Sequence, residues 1–500
     1  MSTLKIGWAE VSITPDKKVA LDGQFAERIS QYVEKPITIT AMAVDSGADQ
    51  MVLCGVDLVM MRAPVLEGIR EKLKESGLDI DPEKVIFSVI HTHTGPVVGN
   101  GPEATTVASG FRTLIEPYIP AGKKYVESAP VNDDPDLMKP NEYYTFLVER
   151  CVRAVTEAWK NRKAGSFTNA FGRAAVGMCR RAVFSDGSAQ MWGDTYPAVF
   201  KELEGGNDSG IELLFVYDDA QKLAGIVVNL ACPAQCVQHR LFVSPDFWGE
   251  VKVLLRQYFG QELFVLPLCG AAGDQCPVDL IRWVEPESDL HDPNLSRGDM
   301  PKRKADPSMF DLAGMRKVGK RIAREIIDVY EEGLDAPQTD VVFAHEVRNY
   351  ELPLRRVTLA DAEKARKAIK DYMQEKEGDI DYNDAARLQI YLGTLRRLKL
   401  QDQQNVFDTE VHIVRMGTVA FATNPFELFL DYGNQIKARS AAEQTFLVQL
   451  ANGAGGYLPT EKAEKGGHYS AFVSSGNVGH EGGDVLVRKT LNDIKKLFEN

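Results

Sequence analysis

The chain has 500 residues, 44% hydrophobic and 26% charged, the proportions of a folded globular protein with a sizeable core. Its 58 Lys and Arg against 71 Asp and Glu leave a net charge of −13, which argues against the basic footprint of a nucleic-acid binder. No run reaches the roughly 18 apolar residues that cross a bilayer, and seven cysteines without a C-x-x-C spacing argue against a disulfide scaffold or a structural zinc knuckle. The opening MSTLKIGWAEVSITP has no apolar leader, so a reducing, cytoplasmic setting is expected.

In chain order, apolar runs at 41–45 and 51–56 read as strands, 65–76 as an amphipathic helix and 85–90 as a strand. Residues 97–140, rich in Gly, Pro, Asp and Asn, read as a long surface excursion. A helix is expected over 143–163, a strand over 225–231, a helix over 247–258 and a strand over 263–268. The charged, Pro-rich stretch 285–307 reads as a loop, and 312–332 as a helix. Residues 359–403 are strongly helical and charged, two helices turning near 377–382. A strand at 418–423, a helix at 426–439 and a strand at 445–451 follow. Near-continuous apolar strands between helices predict an α/β chain: one large domain, a central sheet buried on both faces and flanked by helices, and a helical insertion at about 359–403.

Five strand runs end in loops rich in reactive or small residues: His91-Thr92-His93-Thr94-Gly95-Pro96, Cys232-Pro233-Ala234-Gln235-Cys236, Cys269 through Pro277, Asn424-Pro425-Phe426-Glu427, and Asn452 through Tyr457. Ligands of α/β folds bind outside the carboxyl ends of strands. His91 and His93, two apart, share a side if the strand runs on, as a metal pair or as one buried and one exposed histidine. Glu427 is expected one turn into a helix, where the N-terminus favours its anion, as a functional carboxylate or a cap. Tyr457 reads as a substrate-side phenol or a core aromatic. Cys269 and Cys276 read as small buried residues, with Cys276 following Gly273-Asp274 in a loop whose amides could lower a thiol pKa.

The segments GWAEVSITP, LDGQFAERISQYVEKPITITAMAVD (21–45), VIHTHTGP (89–96), VSPDF (243–247), GAAGDQCP (270–277), NPFELFLDYG (424–433), GGYLPT (455–460) and GGHYSA (466–471) occur in this order along most of the chain. They resemble the successive motifs of the N-terminal catalytic domain of the neutral, non-lysosomal ceramidases: its opening strand, its Arg-x-Ser pattern, T-H-T-H-S-G-P, S-x-D, its glycine-aspartate-x-serine-proline loop, G-E-F, G-Y-x-x-T and Y-E-[AG]. The resemblance implies a zinc-dependent amidohydrolase that cleaves an N-acyl bond with metal-activated water. It assigns zinc to His91, Glu427 and Tyr457 together with a second histidine, whose place Pro233 takes here; Cys232, Cys236 and His239 are the candidate substitutes. It makes His93 a neighbouring catalytic group, puts Cys276 where the family has a functional serine, with Asp274 beside it, and points to Gly273 and Arg28 for substrate binding.

Zinc is expected to be held weakly, and the family's immunoglobulin-like C-terminal domain is expected to be absent. The expected partner is a small-molecule or lipid-like amide, more soluble than membrane ceramide, with no nucleic acid. Two alternatives stay open: a metal-poor relative that binds without turnover, and a metal-independent hydrolase using Cys276 with His91 or His93 as base.

Overall fold

A computed structural model describes residues 2–25, 28–99, 101, 109–126, 134–282 and 309–499. The chain is α/β, but the expected central sheet is three sheets. The first runs in the order Val85–Val89, Gln50–Val56, Thr38–Asp45, Lys5–Ser12, Lys163–Ala164. The second runs Phe264–Cys269, Leu223–Leu230, Gly210–Tyr217, Ser166–Arg173. The third runs Phe343–Pro353, Val406–Met416, Val419–Thr423, Gln444–Val448.

Each sheet is antiparallel except for one parallel pair: Gln50–Val56 with Val85–Val89, Leu223–Leu230 with Phe264–Cys269, and Val419–Thr423 with Gln444–Val448. Parallel neighbours need a crossover. Each pair has one, through the helices Ala63–Glu75, Phe247–Phe259 and Leu430–Arg439 respectively. Three βαβ units therefore each deliver the carboxyl ends of two strands.

Alternating side chains explain why the strands read as continuously apolar. Met42, Leu53 and Ile86 of the first sheet meet Leu214, Val227 and Leu266 of the second and Val414, Phe421 and Phe446 of the third in one central cluster. The opposite faces pack against helices. Ala41, Cys54 and Phe87 face Ala63–Glu75 and Pro140–Lys160. Leu213, Val228 and Val265 face Phe247–Phe259 and Asp311–Glu332. Ile413, Ala422 and Leu447 face Leu430–Arg439 and His480–Glu499. The expected burial on both faces is present; what differs is that one face of each sheet is covered by other sheets.

The 359–403 stretch forms Leu359–Glu375 and Tyr382–Leu400, started by capping boxes at Thr358/Asp361 and Asp381/Asp384. The hairpin has its own core of Ile369, Met373, Leu388 and Leu392, joined by Ile115. Ile115 ends the helix Ser109–Ile115, so the described part of 97–140 is partly helical and docks on the hairpin instead of running free. Residues 285–307 lie outside the described residues. Among the described residues no helix is long and apolar enough to cross a membrane.

The first two sheets touch where Gly55 meets Pro267: a Cβ at Gly55 would lie 2.5 Å from the Pro267 carbonyl oxygen. Gly55→Ala is expected to lower stability by about 1–3 kcal/mol through overpacking, read as a fall in the urea midpoint without a change in slope.

Candidate functional site

Glu427 and Tyr457 lie opposite each other in a short parallel ladder, Glu427–Leu428 on Tyr457–Leu458. This corrects the expected helical setting of Glu427: the helix starts at Leu430, and Glu427 is in extended backbone. The cause is local. Asn424 Oδ1 accepts from Phe426 N at 3.1 Å, Gln449 Oε1 accepts from Leu428 N at 3.0 Å, and Glu427 N donates to Gly456 O at 3.0 Å, so side chains and the neighbouring strand take up the amides. Gly273 packs directly under this ladder; a Cβ there would lie 2.3 Å from the Glu427 carbonyl oxygen.

His91 and His93 follow the first sheet's parallel strand. The strand stops at Val89, and His91 adopts φ +63°, a left-handed conformation costly for a histidine. The two imidazoles are thus brought together by a turn, not by strand alternation. Their Nε2 atoms are 3.3 Å apart, and His91 Nε2 is 3.3 Å from Glu427 Oε2. His91 Nδ1 is 2.8 Å from Val59 O, which can only accept, so the proton of a neutral His91 sits on Nδ1.

Three residues that the sequence reading did not single out complete the site. Arg180, buried, donates to Gln235 Oε1 at 3.0 Å, to Gly273 O at 2.9 Å and to the Tyr457 hydroxyl at 3.4 Å. With its oxygen held by Arg180, Gln235 presents Nε2 to His93 Nε2 at 2.8 Å. His93 Nε2 therefore accepts, its proton lies on Nδ1, and that atom has no partner among the described residues. Tyr469 meets Tyr457 edge-on at 5.4 Å and is hydrogen-bonded to it. The Arg180-Arg181 pair inside an apolar β run was the available signal: buried guanidinium groups demand partners. Arg181 finds Glu204 at 3.0 Å, and Arg180 finds the site.

The charges are tuned together. Burial pushes the Glu427 carboxyl up, but His91, Arg180 and the Tyr457 hydroxyl outweigh it and hold the pKa below the usual value. Burial, then the charges of His91, Arg28 and Arg180, push His93 well down, so it is neutral. Burial and the Glu427 charge push Tyr457 well up, and burial does the same for Tyr469, so both keep their protons.

His91, His93, Glu427, Tyr457 and Arg28 all line one cavity of about 350 Å³. Arg28 does so with a guanidinium already committed to backbone: it donates to His93 O at 2.7 Å, Asp22 O at 2.7 Å and Gln238 O at 2.6 Å, and so anchors the His93 loop. Gly273, Asp274 and Cys276 lie behind the wall. Asp274 Oδ1 accepts from Leu430 N at 2.9 Å at the start of that helix, and burial raises its pKa to about 6. The Cys276 thiol is fully buried and donates to Val278 O at 3.2 Å. Of the candidate substitutes near Pro233, Cys232 turns to Val176 O at 3.6 Å, Cys236 bonds Asp246, and His239 stacks on Phe310 at 4.8 Å with Asp311 3.7 Å away. From that loop it is Gln235 whose side chain reaches His93. Among the described residues no group of three or more His, Cys, Asp and Glu is arranged to hold a metal. With His93 Nε2 engaged by Gln235, the donors facing one another are His91, Glu427 and a phenol.

No family model matches the chain, and no curated protein matches it. Solved structures do. The neutral ceramidase from Pseudomonas aeruginosa superposes with a TM-score of 0.65 at 13% identity over 100% of this chain and 75% of that one. A ceramidase complexed with C2 superposes with a TM-score of 0.65 at 14% identity, over 100% and 76%. The chain has a neutral ceramidase-like fold. At this identity the likeness speaks for the architecture alone.

Two outcomes are expected. Gly273→Ala must displace the Glu427 strand, so it should distort the site while leaving the remote helices intact, as read by hydrogen exchange at Glu427–Leu428. The second concerns pH. A carboxyl at about 6 when folded against 3.8 normally binds its proton more tightly in the folded chain. Folding therefore takes up protons between these values, and the contribution of Asp274 to stability grows as pH falls from 7 towards 4 and is lost as pH rises through 6. The Tm of the parent relative to Asp274→Asn should rise between pH 7.5 and pH 5.

Proposed function

We propose that this chain hydrolyses an amide (N-acyl) bond in the cavity lined by His91, His93, Glu427 and Tyr457. One observation carries the reading: His91 Nε2 lies 3.3 Å from His93 Nε2 and 3.3 Å from Glu427 Oε2, while His91 Nδ1 faces Val59 O and Gln235 donates to His93 Nε2. Three acceptors at this spacing repel unless a cation joins them, either a proton on His91 or a metal. A tetrahedral zinc with bonds of about 2.0–2.1 Å has ligand–ligand edges of about 3.3 Å, the spacing of His91 Nε2 and Glu427 Oε2. His91 Nε2, Glu427 Oε2 and the Tyr457 hydroxyl would hold it, with Gln235 standing beside His93 where a further imidazole would strengthen the site. When bound, such a metal supplies a Lewis acid that activates water and polarises a carbonyl.

The chain's own groups then divide the work. Glu427 supplies negative charge in a buried place. Tyr457 and Tyr469, protonated at neutral pH, donate hydrogen bonds to an oxygen that gains charge during amide hydrolysis. His93, held neutral, adds no positive charge to the cluster, and its Nε2 accepts from Gln235. Arg180 orients both sides, Tyr457 directly and His93 through Gln235.

The test is amine release from short N-acyl amides. His91→Ala and Glu427→Gln are each expected to reduce kcat/KM by roughly 10²-fold or more. Because a protonated Tyr457 is a poor ligand, zinc should be bound weakly and be removable by chelator with loss of activity, and Gln235→His should tighten it in a competition titration. Full activity in the His91 and Glu427 variants defeats the reading.

A further inference from the structure

Part of the cavity wall comes from the helical hairpin. Tyr382 and Gln389 of Tyr382–Leu400 both line it. They are seven residues apart, two helical turns on one face. Tyr382 is buried at the start of that helix, next to the Asp381 cap. Gln389 is half-buried, and its amide has no hydrogen-bond partner among the described residues. A half-buried amide facing a cavity is a polar group waiting for a ligand. Arg62 and Asp22, 3.5 Å apart, also line the cavity, among the apolar side chains of Leu21, Val59, Met60 and Val97.

The roof is mechanically tied to the floor. Ser474 Oγ donates to Ile390 O at 2.8 Å and Arg397 to Gly476 O at 2.6 Å, while Ser475 O accepts from Tyr457 N at 3.0 Å. One loop thus holds both Tyr457 and the helix above it. The hairpin core shares no residue with the clusters that surround the three sheets. Its cavity-facing side chains can therefore be altered without disturbing the βαβ units.

We infer that Tyr382 and Gln389 are specificity-determining residues that restrict the substrate to a compact amide. At about 350 Å³ the cavity lies at the small end of ligand pockets, which run from about 300 to 1,000 Å³. A long alkyl chain running past the hairpin would have to desolvate Gln389 and the Arg62–Asp22 pair without replacing their hydrogen bonds. This rests on the hydrolase reading for its chemistry, but not for its geometry.

The experiment measures size selection in two ways. Straight-chain carboxylates from acetate to dodecanoate, the acid products of such a reaction, are titrated calorimetrically. N-acyl methylamides of the same lengths are assayed for released methylamine. The parent should bind and cleave the short members and lose at least tenfold in each beyond about eight carbons. Tyr382→Ala and Gln389→Ala should move that limit to longer chains while the short members change little. If Tyr382→Ala does not fold, Gln389→Leu reads the same limit. Equal affinity of the parent for butyrate and dodecanoate overturns the inference, as does an unchanged limit in folded variants or binding of no carboxylate. A limit that moves in binding while no protein cleaves any amide supports the roof and defeats the hydrolase reading.

Discussion

Burying Glu427 as an anion is the constraint on which the site depends. An uncompensated carboxylate in a dry interior costs several kcal/mol, so its neighbours must supply positive charge and donors. His91, Arg180 and the Tyr457 hydroxyl do so, and together they overcome the desolvation that would otherwise protonate it. Each of these partners has its own requirement. Arg180 needs Gln235 Oε1 and Gly273 O to be satisfied, which fixes the Gln235 amide and through it the tautomer of His93. His91 needs Val59 O beside Nδ1, which turns Nε2 towards Glu427. One buried charge thus sets the protonation of a whole cluster.

The architecture exists to bring those partners to one place. His91 follows a strand of the first sheet, Gln235 and Gly273 follow strands of the second, and Glu427 and Tyr457 follow strands of the third. All five loops leave the carboxyl ends of parallel strands, and the three sheets share one apolar cluster that holds those ends together. A ligand at the carboxyl ends of a parallel pair is the general rule for open α/β sheets; here the rule is applied to three pairs that converge. The close packing that this demands explains why Gly273 has no room for a side chain. It also explains why the cysteine that follows, Cys276, ends up as a packed thiol rather than an exposed one.

The helical hairpin stands apart from this core and meets the site from above. Its own cluster is small, joined from outside by Ile115 and Val473, and it is tied to the 473–477 loop by the Ser474 hydroxyl donating to Ile390 O and by Arg397 donating to Gly476 O. The His91–Glu427–Tyr457 cluster and the hairpin are therefore separate pieces of the fold, joined through the loop that holds Tyr457.

By itself the sequence determined the α/β class, the chain positions of the parallel strands and most helices, and the loops that carry the site. Those features are written in local patterns: apolar runs of strand length, helical periodicity, and glycine-rich turns after them. The charged, helical character of 359–403 made the hairpin legible for the same reason, and the structure adds the capping boxes that start its two helices. What tertiary structure decided was everything that depends on residues distant in sequence. The strands Phe343–Pro353 and Val406–Met416 carry partly exposed, charged positions among their buried ones, and they pair with each other along their whole length. The single expected sheet became three because burial on both faces does not reveal whether a helix or another sheet does the burying. Glu427 left its expected helix because Gln449 and the Gly456 carbonyl captured its ladder. Arg180 and Gln235 entered the site because a buried guanidinium and a buried amide satisfy each other only across loops 55 residues apart.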